Sequence, residues 1–345
     1  MTSAPKPALD LTSGDGATIA EIAGLAGVSV ATVSKVVNGR SDVAPDTRAL
    51  VEGIIRKHGY RRQKKLNRAA LIELVFHELE GAYAMEMIKG AERVASEHNL
   101  AVVVSELRGR HTPGRNWIEG VLARRPTGVI AVFSGPNAAQ QEQLRSRDIP
   151  YVLVDPTDEP GQGHASVGTS NWNGGLSATR HLLQLGHRRI AVITGPPDVL
   201  SSRARVDGYR AALDTADVRV DPELIREGDF HIEDGRVHTG ELLALPDPPT
   251  AVFACNDVQA LGVYQAVHQA GLRIPEDLSV VGFDDLPFAQ WAIPALTTVR
   301  QPLSDMAAAA TSMVVELANG GSPTPLRLML STELIVRAST AAPRR

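Results

Sequence analysis

The chain has 345 residues, 43% of them hydrophobic, and a single cysteine, Cys255. That length holds one small domain plus a large or bipartite α/β body, while one thiol excludes an intrachain disulfide framework and fits a reducing compartment. The net charge of -4 conceals an asymmetry: residues 1–70 carry 11 Lys or Arg against 6 Asp or Glu, a local +5 that leaves -9 for the remainder. A polyanionic partner is therefore expected at the N-terminus alone.

Residues 1–17 are rich in Ala, Pro, Ser, Thr and Gly without an apolar core, which predicts a disordered tail and neither a signal peptide nor a membrane span. A cytoplasmic protein is expected. From Thr18 the pattern becomes helical. Thr18 with Glu21 forms a capping box, Ile19, Ile22 and Ala23 share a face, and Gly27 sits in a bend. Val28 can plug the angle, and Ser29 can cap a second helix starting near Val30. In that helix Val33, Val36 and Val37 follow the spacing of a buried stripe. Ala31, Ser34, Lys35 and Asn38 share the opposite face, whose short side chains and polar donors suit close approach to DNA base edges. Pro45 opens a third helix, Val51, Ile54 and Ile55 give it a packing face, and Gly59 is placed to end it.

The words GVSVATVSKVVNG and VAPDTRALVEGIIRKHGY closely resemble the N-terminal DNA-binding domain of the lactose-repressor (LacI/GalR) family. The resemblance implies that Val30, Ala31 and Lys35 read bases in the major groove, and that Thr18, Ser29, Thr32, Ser34, Asn38 and Thr47 hold phosphates. The family usually carries Arg where this chain has Lys35, and a lysine cannot lock the bidentate geometry on guanine. Next comes RRQKKLNR, with five cations in eight residues. It reads either as a solvated linker or as Arg61, Arg62, Lys64, Lys65 and Arg68 neutralising phosphates. Relatives usually fold a hinge helix here, with a leucine wedged into the minor groove. This linker is shorter and lacks those words, leaving Leu66 as the one candidate wedge.

From Leu71 apolar runs alternate with helical segments: LIELVF, LAVVVS, GVIAVF and YVLVD, then from His187 RRIAVITG, REGDF, TAVFACND and LSVVGFDD. Continuous apolar strands separated by helices predict two doubly wound parallel-sheet lobes. LTTVRQP, a helix through Ala318, LRLMLS and ELIVR then return the chain to the first lobe and afterwards to the second. The expected division is a tail over 1–17, a helix-turn-helix domain over 18–60, a basic linker over 61–70 and the body over 71–345. Lobe 1 would span about 71–186 and 300–330, and lobe 2 about 187–299 and 331–345.

Polar residues gather where strands end: Asp155, Gly195, Asn256, Asp257, Asp284 and Asp285. Ligands of open α/β sheets bind beyond the carboxyl ends of strands, so these positions predict a cleft for a small, hydroxylated molecule. Asp284 and Asp285 are neighbours and should point apart, and Asp257 reads as a helix N-cap. GHRRIAVITGPP, SRARVDGYRAAL, FACNDVQALGVYQA, GLRIPEDLSVVGFDD and LTTVRQP extend the resemblance to the periplasmic-binding-protein-like body of the same family. It implies that Arg205, Asn256 and Asp284 bind effector hydroxyls, that Phe230 stacks on the ring, and that Tyr83 and Asn173 complete the cleft. Phe230 and Tyr83 read equally well as core aromatics. Trp172 is a further candidate for the opening that nothing in its spacing requires.

No phosphate loop, dinucleotide fingerprint or metal-spaced histidine cluster is found, and Cys255, closing an apolar strand, reads as buried and inert. His77, His181 and His187 are scattered and read as packing or surface residues. No catalytic residue, cofactor or metal is expected. The expectation is an effector-responsive transcription repressor, with a sugar or short oligosaccharide as effector or else a purine or other small metabolite as corepressor; a sugar-binding protein without a regulatory role would use the same cleft. It would bind as a homodimer or higher homo-oligomer to a near-palindromic operator, because one recognition helix reads too few base pairs.

Overall fold

The computed structural model describes residues 17–37, 43–58, 68–79, 81–109, 111–161 and 163–344. The chain divides into two units, residues 1–67 and 68–345.

In the first unit α1 (Ile19–Ala26) and α2 (Val30–Val37) meet at 110°, the angle of a helix-turn-helix. Both halves of the Thr18–Glu21 capping box form, and Gly27 ends α1 at φ 64°, a left-handed conformation that costs glycine nothing. The Ser29 hydroxyl accepts from the Thr32 amide at 3.1 Å. The third helix, α3 (Pro45–His58), begins at the expected proline. Ile22, Ala23, Val33, Val36 and Val51 form the core, with Val28, Val37, Ile54 and Ile55 against it. The expected tail, Gly59 and the linker from Arg61 to Asn67, Leu66 included, lie outside the described residues. Arg68, read as a phosphate contact, instead donates to the carbonyls of Ala318 and Asp148. Its guanidinium is thus committed to the body.

The second unit opens with β1 (Ala69–Phe76), α4 (Gly81–Glu97), β2 (Ala101–Glu106), α5 (Arg115–Arg124), β3 (Pro126–Val132), α6 (Ala138–Ser146), β4 (Tyr151–Val154) and β5 (Ser166–Thr169). It continues with α7 (Asn171–Gln184), β6 (Ile190–Ile193), α8 (Leu200–Thr215), β7 (Ile225–Arg226), α9 (Ile232–Leu243), β8 (Ala251–Ala254), α10 (Asp257–Gln269), β9 (Ser279–Asp284) and β10 (Thr297–Arg300). It closes with α11 (Leu303–Ala318), β11 (Arg327–Leu330) and β12 (Glu333–Ile335). One sheet runs β11-β5-β4-β3-β1-β2 and is wholly parallel; the other runs β12-β10-β9-β8-β6-β7, with only β12 antiparallel. Helices cover both faces of each sheet, which explains strands that are apolar along their whole length.

The path between lobes differs from the expected boundary near residue 186. Already at α7 the chain has left the first lobe, because α7 packs on α8 and against β8, β9, β10 and β12. Small residues decide this. A Cβ on Gly175 would lie 2.1 Å from the carbonyl oxygen of Arg205, and one on Gly208 would lie 2.2 Å from that of Trp172, so the two backbones touch. Similar approaches join α9 to α10 at Gly235 and Gly262, and α4 to the start of α11 at Gly90. The chain therefore crosses between lobes after β5, after β10 and between β11 and β12. The expected REGDF strand is also shorter: only Ile225–Arg226 pair, and Asp234 gathers the amides of Asp229 and His231 into a loop.

Far from the strand ends that face the cleft, His187 holds the C-terminal segment. Its Nε2 donates to the carbonyl of Ala341 at 2.8 Å, so the proton is on that nitrogen, and Nδ1 lies 2.8 Å from the Thr250 hydroxyl. Burial holds His187 below the usual imidazole range.

Candidate functional site

In the first unit, burial of Val33 and Val36 turns Ser29, Val30, Ala31 and Lys35 outward, with Thr32 and Ser34 half-exposed beside them. Val30 is 48% exposed, and an apolar side chain left in solvent on such a face suits contact with a thymine methyl. Thr18, whose hydroxyl donates to Glu21, and Thr47 in the first turn of α3 are half-buried. Asn38, Arg61 and Arg62 lie outside the described residues.

In the second unit a cavity of about 640 Å³ opens between the carboxyl ends of the two sheets. Tyr83, Arg205, Phe230, Asn256 and Asp284 all line it. Asn173 does not. It is exposed on α7, two positions past Asn171, and 100° per residue carries it to the outer side. Trp172, 45% exposed, is also absent from the lining.

Asn171 is the residue that matters on this turn, since its side-chain oxygen accepts from Arg205 Nε at 2.8 Å. Arg205 Nη1 donates to the carbonyl of Cys255 at 2.5 Å and lies 4.0 Å from Asp284 Oδ1. Its guanidinium carbon sits 3.8 Å from the centre of the Phe283 ring and 5.7 Å from that of Phe230. Packed between rings and fixed by two hydrogen bonds, this buried cation is held ready for a ligand. Asp284 accepts from Gln301 at 2.6 Å, and burial raises it to about 6 despite the opposing pull of Arg205. Asp155, facing Arg205 from the other lobe, is raised by burial to about 6 as well. The buried Tyr83 hydroxyl lies beside Asp155, and its hydrogen bond to that carboxylate opposes the rise that burial imposes on Asp155, so the two face the cavity as a polar pair.

Backbone strain gathers at the same place. Phe133 (φ 53°), Asp155 (φ 43°), Phe230 (φ 67°) and Asp284 (φ 110°) are left-handed without being glycine, a cost of order 1–3 kcal/mol each that tends to cluster at ligand clamps. Asp285 points away from the cleft to Arg337 and Arg300, at 2.6 and 2.8 Å. The expected cap role of Asp257 belongs to its neighbour: Asn256 accepts from the Gln259 amide at 2.7 Å and donates to the carbonyl of Phe230 at 2.9 Å. Asp257 is buried one residue inside the helix, accepting from the Leu286 amide and the Thr298 hydroxyl. Cys255 is fully buried, which pushes its thiol up to about 12.

Sequence reasoning missed the outer half of the cleft. His77, read as packing, lines the cavity and stacks on His111 at 4.1 Å with planes 8° apart. Glu78 Oε2 lies 3.1 Å from His231 Nε2, joining the end of β1 in one lobe to the N-cap of α9 in the other. The rule used for the second lobe would have found His77, Glu78 and Phe133, which directly follow β1 and β3. Asp198 and Asp229 add exposed carboxylates at the rim. Among the described residues no group of His, Cys, Asp or Glu is placed to hold a metal ion, and no single helix is long and apolar enough to cross a membrane.

A helix-turn-helix unit with a small polar outer face, followed by a two-lobed body around a ligand cleft, defines a DNA-binding transcriptional regulator governed by a small molecule. Residues 18–63 match the family described as bacterial regulatory proteins, lacI family, and residues 179–340 match the periplasmic binding protein-like domain. The ribose operon repressor of Escherichia coli (strain K12) is 32% identical over 329 residues, covering 94% of this chain and 99% of that protein. Among solved structures, a complex of the transcriptional regulator CelR with cellobiose shares 33% identity at a TM-score of 0.71, covering 94% of this chain and 99% of that one. The lac repressor dimer bound to operator and the anti-inducer ONPF shares 28% at a TM-score of 0.67, covering 95% and 100%. The chain belongs to the lacI family.

Proposed function

We propose that this regulator is a repressor whose operator affinity is set by a neutral, hydroxyl-rich effector, a sugar or short oligosaccharide, held between its lobes. The observation that carries the reading is the make-up of the cleft: one guanidinium, Arg205, stands among five carboxylates, Glu78, Asp155, Asp198, Asp229 and Asp284. Carboxylates accept from sugar hydroxyls, Arg205 donates to them, and the rings of Phe133 and Phe230 cover apolar sugar faces. An anionic ligand such as a sugar phosphate would meet net repulsion. A purine corepressor is the alternative reading, favoured by the edge-on pair Phe133–Phe230 at 5.9 Å, which would also accept a flat base.

On this reading Tyr83, Arg205, Phe230, Asn256 and Asp284 form the effector site with Asp155, while Asn171, outside the lining, holds Arg205 in place and Asn173 has no part. Val30, Ala31 and Lys35 read bases while Thr18, Ser29, Thr32, Ser34, Asn38 and Thr47 position phosphates, with Arg61 and Arg62 adding charge. The cleft binds without catalysis: the Cys255 thiol, buried and held protonated, is not part of its lining, and Asp284 and Asp285 diverge. The protein acts as a homodimer on a near-palindromic operator, in the cytoplasm with its DNA. The test is operator titration with and without carbohydrates and purine bases first screened by thermal shift. Saturating effector should change operator affinity by about 5- to 150-fold. A purine base alone giving that response would select the alternative, and a ligand that raises the melting temperature without moving operator affinity would refute the coupling.

A further inference from the structure

The cleft is larger than one sugar ring requires. A hexose displaces on the order of six waters, about 180 Å³ at roughly 30 Å³ each, whereas the cavity measures about 640 Å³. Its polar groups also fall into two sets. The inner one is Tyr83, Asp155, Arg205 and Asp284. The outer one is His77, Glu78, His111 and His231. Phe133 joins them, its ring centre 5.9 Å from that of Phe230 and 5.8 Å from that of His111, which stacks in turn on His77. An unbroken aromatic wall therefore runs from the floor of the cleft to the imidazole pair.

We propose that the outer set is a second sugar subsite, so that the effector is a disaccharide or longer saccharide; the proposal rests on the carbohydrate reading above. The chemistry of the outer set matches a ring that carries hydroxyls on its edge and C–H groups on its face. His111 Nδ1 lies 3.0 Å from the carbonyl of Phe133, which can only accept. Nδ1 therefore donates to that carbonyl, which leaves Nε2 as the ring nitrogen that can meet a ligand hydroxyl. Burial first, and His111 second, hold His77 below the usual imidazole range, so it is uncharged at neutral pH and offers an aromatic face. Glu78 and His231 approach from opposite lobes to 3.1 Å, placing a carboxylate and an imidazole beside the ring's edge. A monosaccharide seated on Arg205 and Asp284 leaves this second set to water.

The experiment is calorimetric titration of the full-length protein with glucose, galactose, xylose and ribose beside cellobiose, lactose, maltose and xylobiose. Wild type should bind at least one disaccharide ten or more times more tightly than its constituent monosaccharide. His111→Ala should lower that disaccharide affinity at least tenfold and the monosaccharide affinity less than threefold. Glu78→Gln, a milder change at the rim, should give the same split at smaller amplitude, with melting curves checking that each variant is folded. Equal affinity of wild type for a monosaccharide and every disaccharide would overturn the second subsite alone, as would equal losses for both ligands in the two variants. Absence of binding by any of the eight sugars would overturn the carbohydrate reading and this inference with it.

Discussion

Asp284→Asn should make the ligand-free protein more stable while weakening its effector binding. Burial holds the Asp284 carboxyl at about 6 against an ordinary 3.8, roughly two units, and each unit is worth about 1.4 kcal/mol. Because the folded pKa is the higher one, the folded state holds the proton more tightly. That contribution to stability is present below about pH 4 and lost as the pH rises through 6. At pH 7 the ionised group therefore opposes folding by up to about 3 kcal/mol, a figure that already includes its attraction to Arg205 and its bond from Gln301. Asparagine keeps the shape, still accepts from Gln301, and tolerates a positive φ better than most residues. We expect a gain of about 1–3 kcal/mol at pH 7, or roughly 2–10 °C in melting temperature for a body of this size. At pH 4.5 the wild-type carboxyl is protonated in the folded protein and the advantage should shrink. The assay is differential scanning fluorimetry at both pH values, paired with sugar titration. Affinity should fall about tenfold, because a charge-assisted hydrogen bond gives way to a neutral one. A variant that melts below wild type at pH 7, or whose advantage is unchanged at pH 4.5, would refute the reasoning.

Lys35→Ala should weaken specific operator binding by about 1–3 kcal/mol and flatten the dependence of log affinity on log salt, measured by fluorescence anisotropy; an unaffected variant would remove α2 from the groove. Gly175→Ala forces a methyl to within 2.1 Å of the Arg205 carbonyl oxygen, so the body should lose about 1–3 kcal/mol from overpacking. Sugar affinity should fall with it although Gly175 lies outside the cavity lining, and unchanged calorimetry would show that α8 is positioned by other contacts. His187, held below its unfolded range by burial, contributes stability that is present above about pH 6.5 and declines as the pH falls below it. Urea titrations from pH 7.5 to 5.5 should show that decline reduced in His187→Gln, with His77 and His181, depressed for the same reason, supplying the remainder.

Local chemistry made much of this molecule legible before its coordinates. The capping box at Thr18, the bend at Gly27 and the valine stripe of α2 each depend on residues three or four apart, and each formed. Most strands of both lobes were visible as apolar runs because both faces of each sheet are buried, but β5, short and polar, was not read, and the REGDF run pairs only at its edge. What escaped depended on partners distant in sequence. Nothing near Asn171 and Asn173 distinguishes them; only the packing of α7 on α8 decides which one meets Arg205. His77 became a cleft residue through His111, which follows the next strand in the sequence. Arg68 looked like part of a basic linker until its carbonyl partners, 80 and 250 residues away, were in view.

The glycine contacts between helices carry a consequence for how this protein tolerates change. At Gly90, Gly175, Gly208, Gly235 and Gly262 even the smallest side chain would fall within 2.2 Å of a backbone oxygen on the neighbouring helix. Unlike the far end of a flexible side chain, a main-chain oxygen has no rotamer by which to yield. A library carrying every residue at every position should therefore show five columns in which almost nothing survives, as empty as the one at Arg205, although none of the five lines the cleft. Substitution data alone would draw the binding site too large, extending it along helix seams where no ligand reaches.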